Sequence, residues 1–118
     1  MSPLALARLY ALQSVWRATG FQSAGRALVD ALASRDDAVR TIAGMLLVRA
    51  GRRAEPLIAE AIRRRRSLPL VLVIAGDIGA ASLEPELERL AADTDRDVAR
   101  AARDGLRIMA AQRGAASP

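Results

Sequence analysis

Twice along this chain a glycine is followed, a few residues later, by a proline that restarts an apolar pattern. Gly51 precedes Pro56 and Gly79 precedes Pro85, an offset of about 28 residues between the two pairs. Glycine past a helix end takes the left-handed conformation at no steric cost. Proline is tolerated in a first helical turn, where its missing N–H has no partner anyway. A third echo is Asp-Asp-Ala-Val-Arg at Asp36, which returns as Asp-Arg-Asp-Val at Asp95, about two periods later. A period of about 30 residues built from two helices is the signature of an α-solenoid rather than a bundle.

The spacing predicts seven helices with short breaks and no convincing strand. The first covers about 4–18 and ends at Thr19-Gly20. The second, about 22–33, puts Ala24, Leu28, Ala31 and Leu32 on one face. The third, about 38–50, carries Val39, Ile42, Ala43, Leu46 and Leu47 as a stripe at helical period, and Gly51 suits its left-handed cap. The fourth starts near Glu55-Pro56 with Leu57, Ile58, Ala61 and Ile62 apolar. The fifth opens at Ser67 and Pro69 and ends near Gly76 to Gly79. The sixth opens at Ser82-Leu83-Glu84-Pro85, with acids that suit the positive end of its dipole and a stripe of Leu83, Leu87, Leu90 and Ala91. The seventh, about 97–112, turns Val98, Ala101, Ala102, Leu106 and Met109 inward. The expectation is one domain over 1–113 and a flexible tail over 114–118.

Composition excludes several chemistries. The chain has 118 residues, of which 52% are hydrophobic and 3% aromatic, so it can bury a core made chiefly of Ala, Leu, Val and Ile. There is no Cys, His, Lys or Asn. That removes a disulfide framework, a thiolate nucleophile, a Ser-His triad and an ordinary zinc site. All 18 basic residues are Arg, which reads as codon bias in a GC-rich, bacterial genome or as selection for bidentate phosphate contacts. The net charge of +5 and a pI near 11.3 permit nucleic acid or an anionic surface as partner without requiring either. The longest apolar run, 68–75, is far shorter than the about 20 residues a membrane span needs. Residues 1–16 carry Arg8 inside the apolar stretch and do not read as a secretory leader, so a cytoplasmic location is expected.

Asp36-Asp37-Ala38-Val39-Arg40, then Ala-Gly, then Glu55-Pro56-Leu57, resembles the short HEAT-like repeats named for phycobilisome lyases. Ala75-Gly76-Asp77-Ile78-Gly79, then Glu84-Pro85-Glu86-Leu87, is similar to the same consensus. The resemblance covers about 21–109. It implies an all-α superhelix of about three helix pairs: second with third, fourth with fifth, sixth with seventh, the first being a leading cap. It also implies an Asp in the turn within a repeat and an Arg early in the second helix, pairing along the stack. Asp36 or Asp37 and Arg40 match those positions. The second repeat has Ser67 and Leu68 there, and the third has Ala99 where the Arg would fall. Chromophore attachment is suggested only by the family's name and has no residue behind it.

Three constellations invite a functional reading. Leu70 to Gly79 superficially resembles a strand entering a nucleotide-binding turn, but two glycines stand where three are needed and no second strand exists to form a sheet. The acidic set Glu84, Glu86, Glu88, Asp93, Asp95 and Asp97 lacks the glycine and bidentate Glu of a calcium loop, and reads as helix-start and turn residues. Arg63, Arg64, Arg65 and Arg66 form the densest charge run, which Arg52 and Arg53 could join. They suit a solvated helix end, a phosphate contact or an acidic protein. No aromatics are interleaved, so base stacking is unsupported.

The fifth helix is apolar on every side. Aligned on the 28-residue offset, its core positions are Leu70, Val71, Ile74 and Ala75, which leaves Leu68, Leu72 and Val73 facing away. Met45 and Val48 are the matching outward positions of the third helix. A helix apolar all round is buried on all sides or meets a partner. The expectation is therefore a non-enzymatic module without cofactor or metal. It would bind a protein partner or itself through a groove formed by Met45, Val48, Leu68, Leu72 and Val73. The alternative is a nucleic-acid-binding solenoid using the arginine patch.

Overall fold

A computed structural model describes residues 2–116. Among them are seven α-helices, two short 3-10 turns and no strand. The helices gather into two compact units that divide between Leu57 and Ile58.

The first unit holds α1 (Pro3–Thr19), α2 (Gln22–Ala31), α3 (Asp37–Ala50), a 3-10 turn at Gly51–Ala54 and the start of α4 (Glu55–Arg63). Its helix ends are set by local chemistry. Ser2 accepts from the Ala5 N–H at 3.1 Å, with Pro3 in the first turn. Gly20, at φ 72°, ends α1 and donates its N–H to the Trp16 carbonyl at 2.7 Å. Asp36 accepts from the Ala38 and Val39 N–H groups at 2.9 and 3.4 Å. The Ala38 N–H holds the Asp36 carboxyl below its ordinary range, because it bonds the charged form. Gly51 also has positive φ, 60°, but its ψ of −128° takes the chain out of the left-handed well and into the 3-10 turn. Arg40 pairs locally, with the Asp37 carboxylate and the Ser34 carbonyl, rather than along a stack.

In this unit α1 packs on α2 and α3, and α2 packs on α3. The core is Leu9 and Trp16 from α1, Ala24, Leu28 and Val29 from α2, and Ala43, Leu46 and Leu47 from α3. Trp16 is 1% exposed. Its ring fits because α2 carries Gly25 at the contact. A Cβ there would lie 2.8 Å from Trp16 Cε2 and 2.5 Å from Leu57 Cδ1.

The second unit holds the rest of α4, then α5 (Leu68–Ile78), a 3-10 turn at Ala81–Leu83, α6 (Glu84–Leu90) and α7 (Arg96–Ala116). Both α4 and α5 end in Schellman motifs. After α5, Gly79 takes φ 72°, and the N–H groups of Gly79 and Ala80 reach Gly76 and Ala75 carbonyls. After α4 the glycine position is occupied by Arg65, at φ 52°, and the N–H groups of Arg65 and Arg66 reach Ile62 and Ala61 carbonyls. Ser67 follows at φ 45° and makes no side-chain cap.

The closest helix approach is α5 on α7, and α6 also packs on α7. Two glycines permit it. A Cβ on Gly76 would lie 2.7 Å from the Gly105 backbone, and one on Gly105 would lie 2.6 Å from the Leu72 carbonyl oxygen. The helices run the same way. Arg65 and Asp93, which precede them, are joined, and Gln112 near the end of α7 donates to the Asp77 carbonyl at 2.9 Å.

The expected stripes of α4 are all buried, as are Leu83, Leu87 and Leu90 around α6. Three points differ. In α5, Leu68 and Leu72 are buried, 4% and 0% exposed, whereas Leu70 is 41% exposed. The glycine contact turns Leu72 toward α7, so the expected outward face is a core face. The closest packing of α5 is to α7 rather than to α4, for the same reason. Finally, α7 continues through Gly114 to Ala116, past the expected start of a tail at 114, while residues 117–118 lie outside the described residues.

Candidate interaction surfaces

The residues expected to form one groove separate on burial. Leu68 and Leu72 are core of the second unit and offer no surface. Val73 beside them is half-buried. In the first unit, Met45 is exposed at 48% and Val48 is half-buried.

The arginines separate as well. Arg52 and Arg53 stand exposed on the 3-10 turn of the first unit. Arg63, Arg64, Arg65 and Arg66 are exposed at the end of α4 in the second unit. Arg65 and Arg64 are held by acids of their own chain. Arg65 donates both guanidinium N–H groups to Asp93, at 3.1 Å each. This fork raises the Arg65 pKa and lowers that of Asp93, each charge favouring the other's charged form. Arg64 lies 3.6 Å from Glu60, one helical turn back. Arg63 makes no ion pair among the described residues.

Glu84, Glu86, Asp93 and Asp95 of the acidic set are occupied structurally. Glu84 accepts a fork from Arg113 at 3.0 Å, Glu86 pairs with Arg89 at 2.6 Å, and Asp95 caps α7 through the Asp97 N–H at 2.9 Å. Among the described residues no group of three or more carboxylates is placed to hold a metal ion.

A surface that the sequence reading passed over lies on α1. Leu9 and Trp16 face the core. Roughly opposite them on the helix, at 100° per residue, run Leu4, Ala7, Ala11, Val15 and Ala18, all exposed. Leu4 is 83% and Val15 46% exposed. Arg8, one turn after Leu4, flanks this stripe, and α1 contains no acid at all. Its signal in the sequence is a second run at spacings of 3 and 4, out of phase with the core run. Two opposed apolar runs cancel in any one-face reading, so the helix reads only as a cap.

No helix among the described residues is long and apolar enough to cross a membrane. No protein-family model, curated protein or solved structure matches this chain.

Proposed function

We propose that this chain is a non-enzymatic HEAT-like repeat module that binds protein, and that α1 is its contact surface. Support for the repeat reading comes from the second unit, where the joined residues are one period apart. Arg65 meets Asp93, Gly76 meets Gly105 and Glu84 meets Arg113, at separations of 28 or 29 residues. Arg65 with Asp93 and Gly76 with Gly105 are matching positions of neighbouring repeats, as nearest-neighbour stacking requires, while Glu84 and Arg113 lie within one helix pair.

The observation that carries the contact surface is the exposed apolar stripe of α1. An exposed apolar run of this length marks a contact site more often than a free surface. Its layout favours a second copy of the chain as occupant. Laid antiparallel about Ala11, the stripe puts Leu4 against Ala18, Ala7 against Val15 and Ala11 against itself. Large faces small in the outer layers and small meets small at the centre, which is the self-complementarity a two-fold interface needs. Burying Leu4 and Val15 contributes about 1.5–3 kcal/mol each, against an association cost of about 4–15 kcal/mol, so the dimer is weak.

The arginine patch supports nucleic-acid binding less well, because Arg65 and Arg64 are already paired with acids. Sedimentation across a concentration series tests the reading. The wild type is expected to shift from monomer to dimer, and Val15→Glu to stay monomeric with unchanged helix content. A wild type that stays monomeric at every concentration rules out self-association through α1. Retention on DNA or RNA that falls steeply with salt favours the arginine reading instead.

A further inference from the structure

Phe21 is not explained by the fold of the first unit. It stands at the N-cap of α2, a position that favours Ser, Thr, Asp or Asn, and it makes no side-chain cap. Its backbone is held: the N–H donates to the Thr19 hydroxyl at 3.2 Å, and the carbonyl accepts from the Ala24 N–H at 3.1 Å. Its ring belongs to no core, since the residue is 64% exposed, and it is the one phenylalanine in the chain.

The same unit has a largely apolar pocket of about 570 Å³ at the other end of α1. Leu4, Ala5 and Leu9 of α1, Ala27 and Ala31 of α2, and Val39 of α3 supply most of its wall. Leu4 also belongs to the exposed stripe of α1, so the pocket adjoins that stripe. The chain's own Phe21 cannot fill it, because Leu4 and Phe21 are about 25 Å apart along the helix.

Antiparallel pairing of α1 with α1 brings the two features together. Centred on Ala11, it sets Phe21 of one copy within about 5 Å, along the axis, of Leu4 of the other. The flank agrees as well. Pocket and Phe21 both lie on the side of α1 where α2 packs, since α2 supplies part of the wall and Phe21 is its N-cap. A two-fold axis that crosses between the paired helices reverses chain direction but keeps the α2 flanks of both copies on one side. Each copy thus presents its ring to the other's pocket. The charges allow it: in this register Arg8 lies level with Ser14 and Arg17 with Ala5, so no arginine of α1 meets its like.

We propose that Phe21 of each copy seats in the pocket beside Leu4 of a second copy, and that it is the anchor that fixes the register of the α1 pair. This rests on self-association through α1. An aromatic side chain held in a pocket, with weaker contacts around it, is the common form of an interface hot spot. It supplies what the stripe lacks. With three alanines between and beyond Leu4 and Val15, the stripe has little to stop it sliding by a turn, whereas a ring in a pocket has one position.

Sedimentation across a concentration series compares the wild type with Phe21→Ser. Serine is the better N-cap, so the variant should melt no lower than the wild type at concentrations where both are monomeric. Its dimer dissociation constant should nonetheless rise by about tenfold or more, as each anchor loses its apolar burial. Placement is read by cross-linking, which a chain without native cysteine makes clean. Phe21→Cys mixed with Ala33→Cys, whose site lies on the pocket wall, should give a mixed disulfide on mild oxidation. Phe21→Cys alone should not link, because its two copies stand about 30 Å apart at opposite ends of the pair. A wild type that stays monomeric overturns both self-association through α1 and the anchor. A wild-type dimer that Phe21→Ser leaves equally strong, or in which Phe21→Cys links to itself rather than to Ala33→Cys, overturns the anchor alone and leaves α1 as the contact surface.

Discussion

The two units solve the same packing problem with different materials. In the first, a tryptophan fills the space between α1 and α2, and Gly25 makes room for side-chain atoms, the Trp16 ring and the tip of Leu57. In the second, Gly76 and Gly105 make room for backbone, so that α5 and α7 meet main chain to main chain. The polar contacts differ in the same sense. Those described for the first unit are local, such as Ser2 with Ala5, Asp36 with Ala38 and Arg40 with Asp37. The second unit adds forks between residues 28 and 29 apart, Arg65 with Asp93 and Arg113 with Glu84. Side-chain tips can yield to a new methyl group, whereas a helix backbone yields only if the whole element moves. The second unit is therefore the more exacting in its sequence, and the first has surface to spare for contacts, in the α1 stripe and the pocket beside Leu4.

The largest effect is expected at Leu72. With 0% exposure, Leu72→Ala should cost about 2–5 kcal/mol in denaturant unfolding. The neighbouring Leu70→Ala, at an exposed site, should stay within about 0.5 kcal/mol. Equal and small effects would restore the outward face that the 28-residue alignment suggested.

The glycines test the contrast itself. Alanine gains about 1 kcal/mol in intrinsic helix propensity at any of these positions. At Gly105 the new Cβ meets the Leu72 carbonyl oxygen, so overpacking of about 1–3 kcal/mol should outweigh that gain and Gly105→Ala should be destabilised. At Gly25 the Cβ meets the Leu57 tip and the buried Trp16 ring, so Gly25→Ala should also be destabilised, but by less than Gly105→Ala because side chains rather than backbone must shift, with a change in Trp16 emission as the ring adjusts. Thermal melts of the two variants that move in the opposite order would refute the distinction between backbone and side-chain contact.

The smallest effect is electrostatic. The Arg65 fork holds the Asp93 carboxyl below its ordinary value of about 3.9. A depressed carboxylate stabilises the fold above its unfolded pKa, and that stability is lost as pH falls through the folded value. Asp93→Asn should thus melt slightly below the wild type near neutral pH. The two curves should draw together as pH falls through the lowered Asp93 value, where the carboxyl becomes neutral like the asparagine. Because the pair is solvent-exposed, added salt should narrow the neutral-pH gap as well.

Much of the local structure was legible in the chain. Pro56 and Pro85 do stand in the first turns of α4 and α6, and α1 and α5 do end at Gly20 and Gly79, whereas Gly51, expected as a left-handed cap, leaves that well at ψ −128°. These are short-range matters of φ preference and unsatisfied N–H groups, settled within a few residues. The stripe of α4 followed in the same way, because a one-sided apolar pattern has one face to bury. Periodicity loses its power where a helix is apolar on every side. In α5 nothing local separates Leu70 from Leu72, and the choice fell to the Gly76–Gly105 contact, which exists only once α7 lies alongside. The same holds for α1, whose two apolar runs are equivalent until α2 and α3 cover one of them. It holds too for Arg17, which is far in the chain from Arg49 and Arg53 and lines a pocket with them only because α1 and α3 pack side by side. The sequence by itself determined where helices start and stop, since capping and proline chemistry are local. Which face of an all-apolar helix is inside, and which charges share a space, was decided by tertiary packing, because burial belongs to pairs of elements and not to one.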